Sequence, residues 1–398
     1  MGNCVEPTGV RPKIVADNKI PFLRGALEPF AEVLYLPGRE TTADVVRDAD
    51  ALITRTRTIC NESLLAGSKV KVIATATIGF DHIDTEWCES HGIIWRNAPG
   101  CNSWSVKQYI TALLLHLGQS RGLDLSKMTL GVVGVGNVGS KVAEAAEILG
   151  MRVLLNDPPR QRALESGVAA ESPLPVPHQG FVSLDDLIGE SDIITLHVPL
   201  EKNGPDATWH LFDAERLAQM RENQILINSS RGPVVDNKAL KAALEAGAIK
   251  AACLDVWEGE PELDPELVNL LDISTPHIAG YSADGKANGT TAAVRTVAEV
   301  LGLPLADWTA SGIPGPRQAL EFSIVTTGKS LQQVLAEAVL HTYNIKEDSD
   351  ALRADLSAFE RLRGDYPVRR EFTSFTVSLR GDCPGSAEKL SALGFKIK

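Results

Sequence analysis

Three short segments downstream of the chain's midpoint carry side chains suited to proton transfer at an oxygenated carbon. They are Asn228-Ser229-Ser230-Arg231-Gly232, Asp255-Val256-Trp257-Glu258-Gly259-Glu260-Pro261 and Thr275-Pro276-His277-Ile278-Ala279-Gly280. A guanidinium grips a carboxylate at two points with fixed geometry, which an ammonium does not match. An imidazole gives or takes one proton near neutrality. A carboxylate beside it holds the ring's orientation and favours its protonated form. Arg231, Glu260 and His277 therefore suit a 2-hydroxy acid: Arg231 on its carboxylate, and His277 on its hydroxyl as the same carbon yields a hydride. Singly, each has an ordinary structural reading, as a surface ion pair, a loop acid beside Pro261 and a loop histidine. Together they call for a hydride acceptor.

The sequence supplies a place for one. Gly134-Val135-Gly136-Asn137-Val138-Gly139 follows an apolar run at 130–133 and opens a helical pattern, and Asp157 ends the next apolar run 18 residues after Gly139. That context is the dinucleotide fingerprint. Gly134 makes the tight turn, Gly136 leaves the backbone open to a pyrophosphate, and Gly139 packs the helix close to its strand. The helix N-terminus offers N–H groups and partial positive charge to phosphates. Asp157 accepts ribose hydroxyls and repels a 2′-phosphate, which favours NAD over NADP, although Arg160 and Arg162 nearby keep NADP open.

These residues need strands to carry them. Apolar runs at 13–17, 51–54, 70–75, 130–133, 153–157, 192–198, 224–228 and 251–255 read as strands, separated by helical patterns such as 105–119, 138–149 and 237–246. Alternation of strands and helices implies βαβ units and parallel sheets. Val138, Val142, Ala145, Ala146 and Leu149 fall on one helix face; Asp236 caps the helix at 237–246 and Gly247 closes it. In open sheets ligands bind beyond the carboxyl ends of strands, so Arg231, Glu260 and His277 are placed to converge from three of them. The stretch 161–180, with Pro173, Pro175 and Pro177, reads as a surface insertion. After a Gly- and Pro-rich break at 302–316 come a strand at 321–326, a capping-box helix start (Ser330 with Gln333), a helix at 350–362 and a strand at 372–379, enough for a small α+β domain.

Bulk properties narrow the class. With 398 residues, 44% hydrophobic and 23% charged, the chain has the composition of a globular protein of two or three domains. A net charge of −12 without a basic tract disfavours nucleic acid and anionic membranes as partners. No apolar run approaches the ~20 residues of a membrane helix. The start lacks a signal-peptide core, and Glu6 stands where a myristoylation motif wants Ser or Thr. Cys4, Cys60, Cys88, Cys101, Cys253 and Cys383 are scattered, without CxxC, so neither a metal site nor a disulfide framework is expected, and a reducing cytoplasm is.

The blocks SRGPVVD (230–236), LDVWEGEPEL (254–263) and TPHIAGYSADGK (275–286) resemble the signatures of the D-isomer-specific 2-hydroxyacid dehydrogenases. Trp257, Tyr281, TATIGFDHID (75–84) and NAPGCNSWSV (97–106) resemble a branch of that family acting on a small phosphorylated 2-hydroxy acid, over about 13–395. The resemblance implies two Rossmann-like doubly wound parallel-sheet lobes and a small C-terminal α+β domain that forms a homodimer. It divides the chain into a substrate domain (1–107 and 281–303), an NAD domain (108–280) and a dimerisation domain (304–398). It gives Arg231, Glu260 and His277 the catalytic roles, and Thr56, Thr77 and Tyr281 substrate contacts. Gly134, Gly136, Asn137, Val138, Gly139, Asp157, Val198, Asp255 and Gly280 would hold NAD. Val198 stands where the family often has Thr, so only backbone contacts survive there; Trp257 replaces the common Phe, and Thr56 a common Ser. Arg55, Arg57 or the pair Arg369-Arg370, delivered by a partner subunit, are candidates for the phosphate. Two rivals remain: 3-phosphoglycerate dehydrogenase chemistry, and an NAD(H)-sensing corepressor that binds proteins.

Overall fold

The computed structural model describes residues 11–167 and 180–398. The alternating prolines of the expected insertion, the first ten residues and Cys4 lie outside them. The chain forms two compact units: 1–102 with 283–314, and 103–282 with 315–398.

In the first unit, β1 (Lys13–Asp17), β2 (Glu32–Leu36), β3 (Ala51–Thr54), β4 (Val72–Thr75) and β5 (Ile94–Arg96) form a parallel sheet in the order β2-β1-β3-β4-β5. Successive side chains of a strand point to opposite faces. Accordingly, Ile14, Ala16, Ala51, Ile53, Val72 and Ala74 build one core with Val294 and Val297 of the helix Ala283–Leu301. Val15, Leu52 and Ile73 build another core on the opposite face.

The second unit holds a six-stranded parallel sheet. Its strands are β6 (Thr129–Val133), β7 (Arg152–Asn156), β8 (Ile193–Leu196), β9 (Ile225–Asn228), β10 (Ala251–Leu254) and β11 (Ile273–Ser274), in the order β11-β10-β9-β8-β6-β7. Leu130, Val132, Ile193, Ile225 and Ile227 face one core; Val133, Ile194, Leu196, Leu226 and Leu254 face the other. Both faces are covered, so the strands are continuously apolar. The chain leaves β6 toward β7 and returns to β8 on the other side. That reversal opens a crevice beyond the carboxyl ends of β6 and β8.

Residues 315–398 pack on the same unit. They carry a parallel sheet of β12 (Glu321–Val325), β13 (Thr376–Arg380) and β14 (Lys396–Ile397). Val334, Leu335 and Val339 of the helix Leu331–Thr342 share a core with Leu113, Leu114 and Leu117 of the helix Ser103–Arg121. The Ser330–Gln333 capping box is formed.

Three local expectations are corrected. The helix read at 350–362 is two, Ile345–Ala354 and Phe359–Gly364. Asp355 between them is extended (φ −155°), with its carboxylate accepting from Ser357 Oγ at 2.6 Å; short polar side chains of this kind compete with the helix backbone. The strand read from 372 begins as a single turn, Phe372–Ser374. Residues 158–165, partly read as loop, form a helix capped by Asp157 with prolines in its first turn, where their missing N–H groups cost nothing.

Candidate active site

The fingerprint loop is built as its glycines require. Gly134 has φ +84°, and a Cβ there would meet His197 O at 2.6 Å, so β6 and β8 end tightly side by side. A Cβ on Gly139 would lie 1.9 Å from Gly134 O, hence the close start of the helix Gly139–Leu149. A Cβ on Gly136 meets nothing within 4 Å. That open ground beside free helix N–H groups is what an approaching pyrophosphate needs. Asp157 accepts from Val135 N at 2.8 Å and Arg160 N at 3.0 Å, fixing the loop to the end of β7. An ionised carboxylate offers about four acceptor sites, so capacity for ribose hydroxyls remains. Arg160 donates to Val135 O and Arg162 pairs with Asp206, which directs both away from a 2′-phosphate role. These features fit NAD.

Arg231, Glu260 and His277 follow β9, β10 and β11, three neighbouring strands. Arg231 precedes the turn Gly232–Val234; its Nη1 donates to Ser230 O at 2.9 Å, and its own carbonyl accepts from Asn228 Nδ2 at 2.9 Å. A Cβ on Gly232 would sit 2.0 Å from Trp257 O, so only glycine brings this loop against the next one. His210 Nε2 lies 2.7 Å from Glu258 Oε1, and Glu258 Oε2 accepts from Asn237 N at 2.9 Å, which clips the two loops together.

The His277 Nδ1 atom lies 2.8 Å from Glu260 Oε2, while Glu260 Oε1 accepts from Trp257 N at 3.0 Å. Burial opposes the charge on Glu260, but the His277 contact, the Trp257 N–H and the Arg363 charge outweigh it, so the carboxyl stays below its ordinary range. His277 has φ +56°, a conformation that side chains other than glycine rarely adopt. The loop holds it there from below. Asp255 is buried, and its carboxylate accepts from Thr275 Oγ1 (2.6 Å), Ile278 N (2.7 Å) and Ala279 N (2.9 Å). Trp257 Nε1 donates to Thr275 O at 3.0 Å, a bond that Phe lacks.

The loop is also held from behind. Arg369, 4% exposed, donates to Ile278 O (3.1 Å) and Ala279 O (2.6 Å), with its guanidinium 4.5 Å from the Tyr343 ring centre. It therefore holds the His277 loop of its own chain and does not reach out as a partner-delivered phosphate ligand. Tyr281 meets Tyr366 edge-on at 5.9 Å.

In the first unit, Thr56 and Thr77 follow the adjacent strands β3 and β4. Thr56 is exposed; Thr77 Oγ1 donates to Gly79 O at 2.9 Å and lies 2.8 Å from Thr75 Oγ1. Sequence reading missed His210 and the loop-holding roles of Arg369, read there as a phosphate candidate, and of Asp255. His210 and Arg369 act across large sequence separations, and neither stands in a recognisable motif; Asp255, at a strand end, gave the better signal.

Comparison with known proteins bears on the same residues. The profile of the D-isomer specific 2-hydroxyacid dehydrogenase NAD binding domain matches residues 102–279. An erythronate-4-phosphate dehydrogenase of Bacteroides fragilis is 48% identical over 366 residues, 92% of this chain and 99% of that one. The chain belongs to the D-isomer-specific 2-hydroxyacid dehydrogenase family. Another erythronate-4-phosphate dehydrogenase, from Photorhabdus laumondii, is 42% identical over 97% of this chain and 99% of its own. A D-lactate dehydrogenase of Aquifex aeolicus, solved with NAD and lactic acid, matches with TM-score 0.59 at 27% identity and covers 76% of this chain and 100% of its own. Relative to that member of the family, this D-2-hydroxyacid dehydrogenase carries an added portion. Residues 318–394 match a profile described only as a domain of unknown function. Among the described residues, no helix is long and apolar enough to cross a membrane.

Proposed function

We propose that the chain oxidises 4-phospho-D-erythronate at C2, with NAD, to 2-oxo-3-hydroxy-4-phosphobutanoate, a step toward pyridoxal 5′-phosphate (vitamin B6). The observation that carries this reading is the His277–Glu260 pair, 2.8 Å apart at the strand ends that also bear Arg231, in a chain 48% identical to an erythronate-4-phosphate dehydrogenase.

When bound, NAD supplies the hydride acceptor. His277 offers Nε2 to the C2 hydroxyl, because Nδ1 faces Glu260, and takes the hydroxyl proton as the hydride leaves C2. Ionised Glu260 favours the imidazolium so formed. Arg231 holds the substrate carboxylate by a two-point contact. In the reverse direction His277 returns the proton. Thr56, Thr77 and Tyr281 are proposed to contact substrate. Gly134, Gly136, Asn137, Val138, Gly139, Asp157, Val198, Asp255 and Gly280 are proposed to line the NAD site.

Turnover of 4-phosphoerythronate and of 3-phosphoglycerate tests this, in wild type and His277→Ala, with NAD and in parallel with 2-oxoglutarate as acceptor for bound hydride. Product from 4-phosphoerythronate alone, lost in the variant, is expected. Product from 3-phosphoglycerate instead discards the substrate. No turnover with NADH-dependent protein capture would favour a corepressor.

The same proposal places a substrate domain at 1–107 and 281–303, an NAD domain at 108–280 and a homodimer contact at 304–398. Sedimentation equilibrium showing a monomer would remove the last. A cytoplasmic location is supported by free Cys60, Cys88, Cys101, Cys253 and Cys383.

A further inference from the structure

A substrate with a carboxylate at one end and a phosphate at the other requires a cation besides Arg231. Such a cation lies beside the catalytic loop, in the portion that has no assigned function. Arg363 sits in the helix Phe359–Gly364, with its guanidinium 5.8 Å from the ring centre of Tyr281 and 5.6 Å from that of Phe359. Its charge reaches Glu260, the partner of His277. The side chain is 20% exposed: largely desolvated, yet open to a ligand. Its buried Nε has no hydrogen-bond partner, and Nη1 has a 3.4 Å contact with Glu360. The exposed part of the guanidinium, not the enclosed Nε, is where a phosphate oxygen would make a charge-assisted contact.

Neighbouring arginines are committed elsewhere. Arg369 donates to two backbone carbonyls and, though its Nε and Nη1 also lack partners, is 4% exposed and closed to a ligand; Arg353 donates to Leu271 O at 2.6 Å, and Arg361 is 67% exposed and faces Asp355 at 3.5 Å. Among them Arg363 combines nearness to Tyr281 and Glu260 with a guanidinium that a ligand can partly reach.

We infer that Arg363 is a specificity residue: it pairs with the substrate phosphate while Arg231 holds the carboxylate. This rests on the function proposed above and deepens it. The aromatic rings of Tyr281 and Phe359 steady the guanidinium. The phosphate gains a charge-assisted contact in a place that water only partly reaches. Residues 318–394 thereby acquire a part in substrate choice.

The test is steady-state kinetics of wild type, Arg363→Ala and Arg363→Lys on 4-phosphoerythronate and on unphosphorylated D-erythronate. Arg363→Ala is expected to lower kcat/KM for the phosphorylated acid on the order of 10- to 100-fold, chiefly through KM, with a clearly smaller loss for erythronate, where only its charge on Glu260 is removed. Lysine should restore part of the loss, since a point charge remains without the fork. Equal loss on both acids would make Arg363 a support for Glu260 or for the fold, and would overturn the inference. So would no loss on either, or a phosphate-selective loss in Arg55→Ala or Arg57→Ala but not in Arg363→Ala.

Failure of the substrate reading looks different. If wild type uses 3-phosphoglycerate in place of 4-phosphoerythronate, the same ratio is taken against glycerate, and it supports or overturns the role of Arg363 separately. If wild type turns over neither, calorimetric titration of 4-phosphoerythronate into the NADH-loaded protein decides. Binding lost in Arg363→Ala supports the inference; binding retained, or absent in wild type, overturns it.

Discussion

With Glu260 on Nδ1, Nε2 is the His277 nitrogen available for the proton transfer proposed above. His277→Ala should lower kcat on the order of 10²- to 10⁴-fold, the usual share of a positioned acid–base group; a smaller effect in single-turnover experiments would remove it from the chemistry. Glu260→Gln keeps the shape but deletes the negative charge that faces the ring at 2.8 Å. It should lower kcat by roughly 10-fold or more with KM little changed, since the charge matters as the ring takes the proton. Unchanged kcat would mean that Glu260 only orients. A second histidine makes a stability prediction. Burial pushes His197 down to about 3, against about 6.5 in an unfolded chain. It stays neutral when folded and is protonated when unfolded at acid pH. Its contribution is therefore complete above about pH 6.5 and is lost as pH falls toward 3. His197→Gln should flatten the decline of Tm over that window; parallel curves for the two proteins would refute the assignment.

At the scale of elements, the fingerprint loop separates folding from binding. Gly136→Ala adds a methyl to open space, so Tm should hold while NADH affinity drops in a fluorescence titration. Unchanged affinity would mean that the loop does not cradle the pyrophosphate. Gly139→Ala drives a methyl into the Gly134 carbonyl and should destabilise the fold by about 1–3 kcal/mol or more in denaturant titration. Much of this was legible in sequence. The glycines, the strand before them and Asp157 after them are local, and so is the rule that Arg231, Glu260 and His277 follow strand ends. The edge strands β2 and β5 escaped because they are short and half exposed, β2 despite its apolar Val33-Leu34-Tyr35-Leu36, and β11 because it has two residues. The bends around Asp355 escaped because a polar side chain, not periodicity, decides them. Trp257 was visible as a departure, but its reason, the bond to Thr275 O, joins residues 18 apart in different loops.

For the molecule as a whole, residues 315–398 are part of the second unit's core. Ile324, Val334, Leu335, Val339, Phe375 and Val377 are buried in one cluster with Leu113 and Leu117, and Arg369 ties Ile278 and Ala279 from behind. A chain ending at residue 314 should lose these contacts, expose an apolar face and aggregate, as light scattering would record. A soluble, active truncation would show that the nucleotide unit stands without them. The contacts of Arg369 and Arg363 were illegible in sequence, because they join positions about 80 to 100 apart and only the folded chain brings them together. The left-handed backbone at His277 has a practical consequence for capturing a bound substrate. Alanine there removes the base but dislikes that backbone, so the loop is free to relax. Asparagine tolerates it. His277→Asn should therefore be the better inactive form for soaking experiments, keeping the loop in its working shape while the hydroxy acid waits unreacted.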